Sequence, residues 1–228
     1  MAPEAVVTLF DVDNTLLDND RVVGDLMRHM SAELGEERQQ EYWRIFEALR
    51  AELGYADYLG ALQRYRLGAS SDPRLLLMST WLVDYPFAER LYPGALEAIE
   101  YLRTLGLTVI LSDGDVVFQP RKIQRSGIWA AVEGRALVTI HKERMLKDVA
   151  DLYPAQHYVM VDDKLRILAA MKAIWRSRLT SVFVRQGHYA LDPRNLAAFG
   201  PADVALERIG DIVNWDLDAL VQPGRASP

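Results

Sequence analysis

The chain has 228 residues, half of them apolar, with a net charge of −6 and no cysteine. That is enough apolar material for one large domain, or for a domain carrying a sizeable insertion. The acidic balance argues against a nucleic-acid-binding surface, and the lack of cysteine excludes disulfides, zinc–thiolate centres and a cysteine nucleophile.

The first element in chain order is AVVTLFDVD (5–13), an apolar run that ends abruptly on Asp11 and Asp13. A short continuous Val/Leu/Phe run of this kind predicts a strand buried on both faces. It breaks off too soon for the apolar core of an export signal. The interval from Asp13 to Leu107 exceeds by roughly 70 residues the dozen that a strand-to-strand crossover needs. Helical stripes fill it: Val23, Leu26, Met30 and Leu34; Tyr42, Phe46, Leu49 and Leu53; Leu59, Leu62 and Tyr65; then a less regular 73–84. Within it, Leu75–Val83 is apolar but stops at Asp84, far short of the roughly 20 residues of a membrane span. The expectation is a cytoplasmic protein with no membrane partner.

YPGALEAIEYLRTLG, with Pro93 near its start, Leu96, Ile99, Leu102 and Leu105 on one stripe and Gly106 as its stop, predicts the crossover helix. LTVILSDGD (107–115) is the second strand, RALVTI (135–140) a weaker one, and a helix over 143–153 (Leu146, Val149, Leu152) leads to the strand HYVMVDD (157–163). A helix over 164–176 (Leu165, Leu168, Met171, Trp175), the strand TSVFV (180–184) and the weak strand ADVAL (202–206) follow. The tail QPGRASP has the composition of a disordered end. The alternation predicts an α/β fold: a Rossmann-like parallel sheet with helices on both faces, formed by 1–17 and 89–228, plus a small all-α cap at 18–88.

Parallel strands present their carboxyl ends at one edge, where ligands of such sheets bind. Asp11, Asp13, Asp162 and Asp163 should therefore meet. Two like charges about 4 Å apart repel by roughly 4 kcal/mol at an effective dielectric of 20. Two such pairs would consume much of a domain's stability of about 5–15 kcal/mol. A compensating cation is called for. With no cysteine, and with His29, His141, His157 and His188 lacking a close ligand spacing, the available donors are oxygens, which select Mg²⁺. Lys142 or Lys147 could add positive charge.

In the order DVDNT (11–15), LSDG (111–114), Lys142 and VDD (161–163), these residues resemble the four motifs of the haloacid dehalogenase superfamily, a group of mostly Mg²⁺-dependent phosphohydrolases. The long insertion resembles the helical cap of one subclass. The resemblance implies a nucleophile at Asp11 and an acid–base at Asp13. It implies phosphoryl binding by Ser112 and by the amides of Asp113 and Gly114, and neutralisation by Lys142. It places Mg²⁺ with Asp11, Asp13, Asp163 and Asp162. Position just after LVTI favours Lys142 over Lys147, and Asp163 is favoured over Asp162 as the direct ligand. Thr15 reads as a turn-fixing hydroxyl, Asp18 as the start of the cap hinge, and Asn14 has no assigned role.

The expected activity is hydrolysis of a small phosphorylated metabolite through an aspartyl-phosphate. A phosphomutase of the same superfamily and a non-turnover phosphoacceptor are the alternatives. A true dehalogenase is disfavoured by Asp13. The cap offers Arg21, Arg28, Arg44, Arg64, Arg66 and Arg74, with Tyr42, Trp43 and Trp81, but helix arginines usually face solvent and helix aromatics are usually core. Neither the substrate nor the oligomeric state follows from the sequence.

Overall fold

Val6 and Phe10 point to one side of the first strand, Val7 and Leu9 to the other, and all four are buried. In the computed structural model, which describes residues 4–68 and 72–221, this strand lies inside a six-stranded, wholly parallel sheet. The strands are β1 (Glu4–Phe10), β2 (Leu107–Asp113), β3 (Ala136–Thr139), β4 (Ala155–Asp162), β5 (Leu179–Val184) and β6 (Val204–Leu206), in the order β3-β2-β1-β4-β5-β6. The two weak sequence signals, β3 and β6, are the short edge strands. The tail QPGRASP lies outside the described residues.

The helices are α1 (Asn19–Leu34), α2 (Glu36–Leu53), α3 (Tyr58–Arg66), α4 (Arg74–Asp84), α5 (Ala95–Arg103), α6 (Phe118–Arg125), α7 (Ile128–Ala131), α8 (Leu146–Leu152), α9 (Leu165–Trp175), α10 (Gly187–Leu191), α11 (Pro193–Ala198) and α12 (Leu217–Val221). Ala95, Ala98, Ile99 and Leu102 of α5 and Ile123 of α6 cover one face of the sheet, with Val6, Phe10, Ile110 and Val161. Leu146 and Val149 of α8 and Ile167, Leu168 and Met171 of α9 cover the other, with Val7, Leu9, Val109 and Met160. Helices thus stand on both faces, as the strands' two-sided apolar runs demand. Among the described residues no helix is long and apolar enough to cross a membrane.

The interval 18–88 carries α1 to α4, and a 3₁₀ turn at Phe87–Arg90 spans its end. Its apolar residues join the α5-side cluster, so one continuous core runs from the sheet into the helical block. The buried stripe of α1 is Val22, Leu26, Met30 and Leu34, not the series starting at Val23. On α3, Tyr58 and Ala61 are buried beside Leu62 and Tyr65, while Leu59 is only partly covered. The predicted helix over 143–153 begins only at Leu146, because Lys142–Arg144 form a 3₁₀ turn after His141, whose φ of 62° is left-handed. Leu152, expected on its core stripe, is exposed.

Gly94 sits at the N-cap of α5 with a left-handed φ of 81°, and a Cβ there would lie 2.6 Å from Gly210 Cα. Gly94→Ala is expected to lower the unfolding free energy by about 1–3 kcal/mol through backbone strain and this close approach. The measurement is the urea midpoint, with the m-value unchanged.

Candidate active site

β1 is central, flanked by β2 and β4, and its last residue, Phe10, pairs with Ile110 on one side and Val161 on the other. One more ladder bond, from Asp11 N to Val161 O at 3.0 Å, carries Asp11 into the crevice where the strand order reverses. Its carboxylate is buried and Oδ1 takes two donors: Lys142 Nζ at 2.5 Å and Ser112 Oγ at 3.0 Å. The Thr15 hydroxyl lies 3.5 Å from Oδ2 and accepts the Asp163 amide at 3.0 Å. Gln186 Nε2 bonds the Thr15 carbonyl at 3.1 Å, so this threonine is a fixed point of the turn.

Between the two lysine candidates the geometry is decisive. Lys142 is buried against Asp11 and lies 2.7 Å from Asp162 Oδ2, off the hydrogen-bond direction. Lys147 is 84% exposed and pairs with Asp151. The left-handed His141 and the 3₁₀ turn point Lys142 back at the sheet, and its amide is pinned by Asp113 Oδ1 at 2.8 Å.

Asp11, Asp162 and Asp163 each offer an oxygen within 4.8 Å of the others, and all three are buried. Burial alone would raise the Asp11 carboxyl, but the ammoniums of Lys142 and Lys164 hold it below its ordinary value. Burial and the neighbouring carboxylates push Asp162 up, and Asp163 well up. Burial would depress Lys142, but Asp11 and Asp162 raise it, so it stays charged. Asp163, Asp11 and Asp162 do the same for Lys164. The cluster thus sets three carboxylates against two ammoniums. Both Asp163 oxygens are buried with no hydrogen-bond partner, whereas Asp162 Oδ1 accepts the Lys164 amide at 2.8 Å. A buried carboxylate without a partner is strongly unfavourable. An all-oxygen donor set with one orphaned carboxylate fits a hard divalent cation such as Mg²⁺.

The carboxylate of Asp13, expected in the metal set, stands outside this trio. Its Oδ1 is bound by Lys122 Nζ at 2.6 Å. Gly114 also departs from expectation: its amide donates to Thr139 O at 3.1 Å, extending the β2–β3 ladder by one step, and is not available to a phosphoryl oxygen. The Asp113 carboxylate holds the Thr139 hydroxyl and the Lys142 amide. Strand alternation turns the Asp113 amide toward β1, beyond the last β1–β2 pair.

Sequence reasoning missed Lys122, Lys164, Gln119 and the part played by Asn14. Lys122 and Gln119 stand three residues apart on the buried face of α6, an element without an obvious apolar stripe. Lys164 directly follows the acidic pair, which was the available signal. Asn14, with φ 61°, accepts the amides of Asn19 and Asp20 on Oδ1 and donates to Asp20 Oδ1, fixing the entry to α1. Asp18, read as a hinge, is the N-cap of that helix, accepting from Arg21 N.

These groups open on a cavity of about 740 Å³. Asp11, Asp13, Ser112, Lys142 and Asp163 form its base, and Trp43, Phe46, Arg50, Tyr55 and Tyr58 form the wall from α2, α3 and their connection. Lys164, His188 and Tyr189 also line it. Of the aromatics and arginines considered from sequence, only Trp43 lines the cavity. Tyr42 is core, its hydroxyl on Tyr58 O, and Trp81 stacks on His29. Arg50 bonds the Tyr189 hydroxyl, and His188 Nδ1 lies 2.6 Å from Asp20 Oδ1, so α1 and α2 are both tied to α10.

Residues 7–174 match the model of a family described as haloacid dehalogenase-like hydrolase. A haloacid dehalogenase-like hydrolase of Burkholderia xenovorans LB400 is 66% identical, covering 94% of this chain and 100% of that one at a TM-score of 0.89. The HAD-hydrolase YfnB of Bacillus subtilis, whose structure is bound to magnesium, is 15% identical, over 92% of this chain and 98% of its own, at 0.62. L-2-haloacid dehalogenase of Xanthobacter autotrophicus is 19% identical, over 91% and 96%, at 0.58. At such identities the last two likenesses speak to the fold alone. No match is found among curated proteins.

Because the folded-state carboxyl of Asp163 is raised above the ordinary 3.8, its contribution to stability is present below about pH 4 and is lost as the pH rises toward the folded value. Asp162 acts in the same direction, and Asp11, held low, in the opposite one. In chelator, Asp163→Asn is expected to match the wild type near pH 4 and to become the more stable of the two as the pH rises toward 8. Urea unfolding across pH checks this, and a pH-independent difference contradicts it.

Proposed function

The chain belongs to the haloacid dehalogenase-like hydrolase family, and we propose that within it this protein is a Mg²⁺-dependent phosphohydrolase that cleaves a small phosphorylated metabolite through an aspartyl-phosphate on Asp11. The observation that carries this reading is the second carboxylate, Asp13, on the same cavity as Asp11 and 22% exposed to it. Halide is a weak base and leaves carbon without a proton. The alkoxide leaving a phosphate monoester needs a proton, and the water that follows must lose one. A carboxylate beside the nucleophile serves the second chemistry and is idle in the first.

With Oδ1 of Asp11 held by Lys142 and Ser112, Oδ2 is the oxygen directed at phosphorus. Asp13 gives its proton to the leaving oxygen as that oxygen's bond to phosphorus breaks and the Asp11–phosphorus bond forms. It then takes a proton from the water that attacks phosphorus and frees Asp11. The Lys142 ammonium and the Asp113 amide balance phosphoryl charge as it shifts. Asp11 and Asp163, with Asp162 behind them, would hold Mg²⁺, which supplies positive charge to the phosphoryl oxygens and to the crowded carboxylates. In this reading 18–88 is a cap on a core of 1–17 and 89–228, and Trp43, Phe46, Tyr58 and Arg50 form its contribution to the substrate wall and keep bulk water from the phosphoenzyme.

Asp11→Asn is expected to abolish phosphate release from a panel of phosphate monoesters while leaving the circular dichroism unchanged. Full activity in that variant with Mg²⁺ present sinks the mechanism. EDTA should remove the wild-type activity and Mg²⁺ restore it, and a 2-haloacid should yield no halide. Halide release at a rate rivalling phosphate release reverses the assignment.

A further inference from the structure

Lys122 is wholly buried, and none of the chemistry above uses it. Its ammonium lies 2.6 Å from Asp13 Oδ1, 2.9 Å from Asn19 Oδ1, and 5.2 Å from the centre of the Phe118 ring. Taking an ammonium out of water costs several kcal/mol unless partners replace the lost solvent. Here the partners are one oxygen of the acid–base and the first residue of α1. Gln119, three residues earlier on the same face of α6, donates to Ser112 Oγ at 3.1 Å, and Ser112 in turn donates to Asp11. One short helix therefore braces both carboxylates, Asp13 directly through Lys122 and Asp11 through Gln119 and Ser112. Among the described residues no donor reaches Asp13 Oδ2, so the oxygen that Lys122 leaves untouched is the one available to the cavity.

We propose that Lys122 is a positioning residue for proton transfer: by holding Oδ1 it aims Oδ2 of Asp13 at the leaving-group oxygen and then at the attacking water. The proposal rests on the phosphohydrolase reading. In the first step the proton on Oδ2 moves to the departing oxygen as the phosphorus–oxygen bond breaks. In the second, Oδ2 accepts a proton from water as the bond between phosphorus and Asp11 breaks. Lys122 keeps its own proton throughout and touches neither substrate nor phosphorus. The link to Asn19 sets the acid's aim by the same contact that seats the start of α1.

The test compares butyl phosphate, whose alkoxide must be protonated to leave, with 4-nitrophenyl phosphate, whose phenolate leaves unaided. In Lys122→Met, kcat/KM, which reports steps only through departure of the alcohol, is expected to fall about 100-fold or more for the butyl ester and no more than about fivefold for the nitrophenyl ester. Turnover at saturation should fall for both, because release of phosphate from Asp11 still needs an aimed base. Lys122→Gln keeps an N–H donor for Asp13 and should recover part of the butyl ester rate. If Lys122→Met does not fold, the unequal loss must appear in Lys122→Gln. Equal losses on the two esters overturn the proposal and leave the phosphohydrolase reading standing. A wild type that releases phosphate from neither ester overturns that reading, and the proposal falls with it.

Discussion

The ion pair between Lys142 and Asp11 is the contact on which the rest of the site depends. Three buried carboxylates meet where β1 and β4 end, and in so poorly solvated a crevice their repulsion would drive the strand ends apart or leave the acids protonated. One ammonium, 2.5 Å from Asp11 and 2.7 Å from Asp162, ties the two strands together. Several local features serve this contact. The left-handed His141 and the 3₁₀ turn aim Lys142, and the Asp113 carboxylate anchors its amide from the neighbouring strand. Asp113 thus acts on the site through the lysine's backbone.

The same crevice joins the sheet to the helical block. Asn14 and Asp18 shape the chain where it leaves β1 for α1, Asp20 bonds the amide of His188, and Arg50 reaches Tyr189. These contacts bring the aromatic wall of α2 and α3 over the acids. Movement of the block relative to the sheet must break polar contacts at its rim and shift apolar residues of a shared core, so the cavity's shape is coupled to its chemistry.

The fold does not select the reaction. A dehalogenase and a magnesium-bound hydrolase share this fold at low identity, and function follows from the side chains placed on a fold rather than from the fold itself. Discrimination comes down to protons and charge. In the proposed phosphohydrolase reading, Asp13 would supply the proton that a leaving alkoxide needs, and the orphaned Asp163 would be met by a cation beside the phosphoryl group. Both belong to this chain's own residues.

Local features were legible in the residues alone: which apolar runs become strands, that helices alternate with them, and that Asp11, Ser112, Asp162 and Asp163 stand at strand ends. A strand's burial is written in its own residues, and the parallel order places all its carboxyl ends on one edge. The sequence also carried the long helical interval, since a crossover has no use for such length. Position after LVTI pointed to Lys142 as one partner of those acids, but packing was needed to exclude Lys147 and to bring in Lys122, Lys164 and Gln119. Lys142 and Lys122 lie 131 and 109 residues from their partners, and no local period distinguishes a buried lysine on α6 from a solvated one. The shift of Gly114 from phosphate donor to ladder donor likewise followed from where β3 ends against β2. Pairing of charges across the sheet edge is a property of packing, because only packing removes the water that would otherwise satisfy each charge alone.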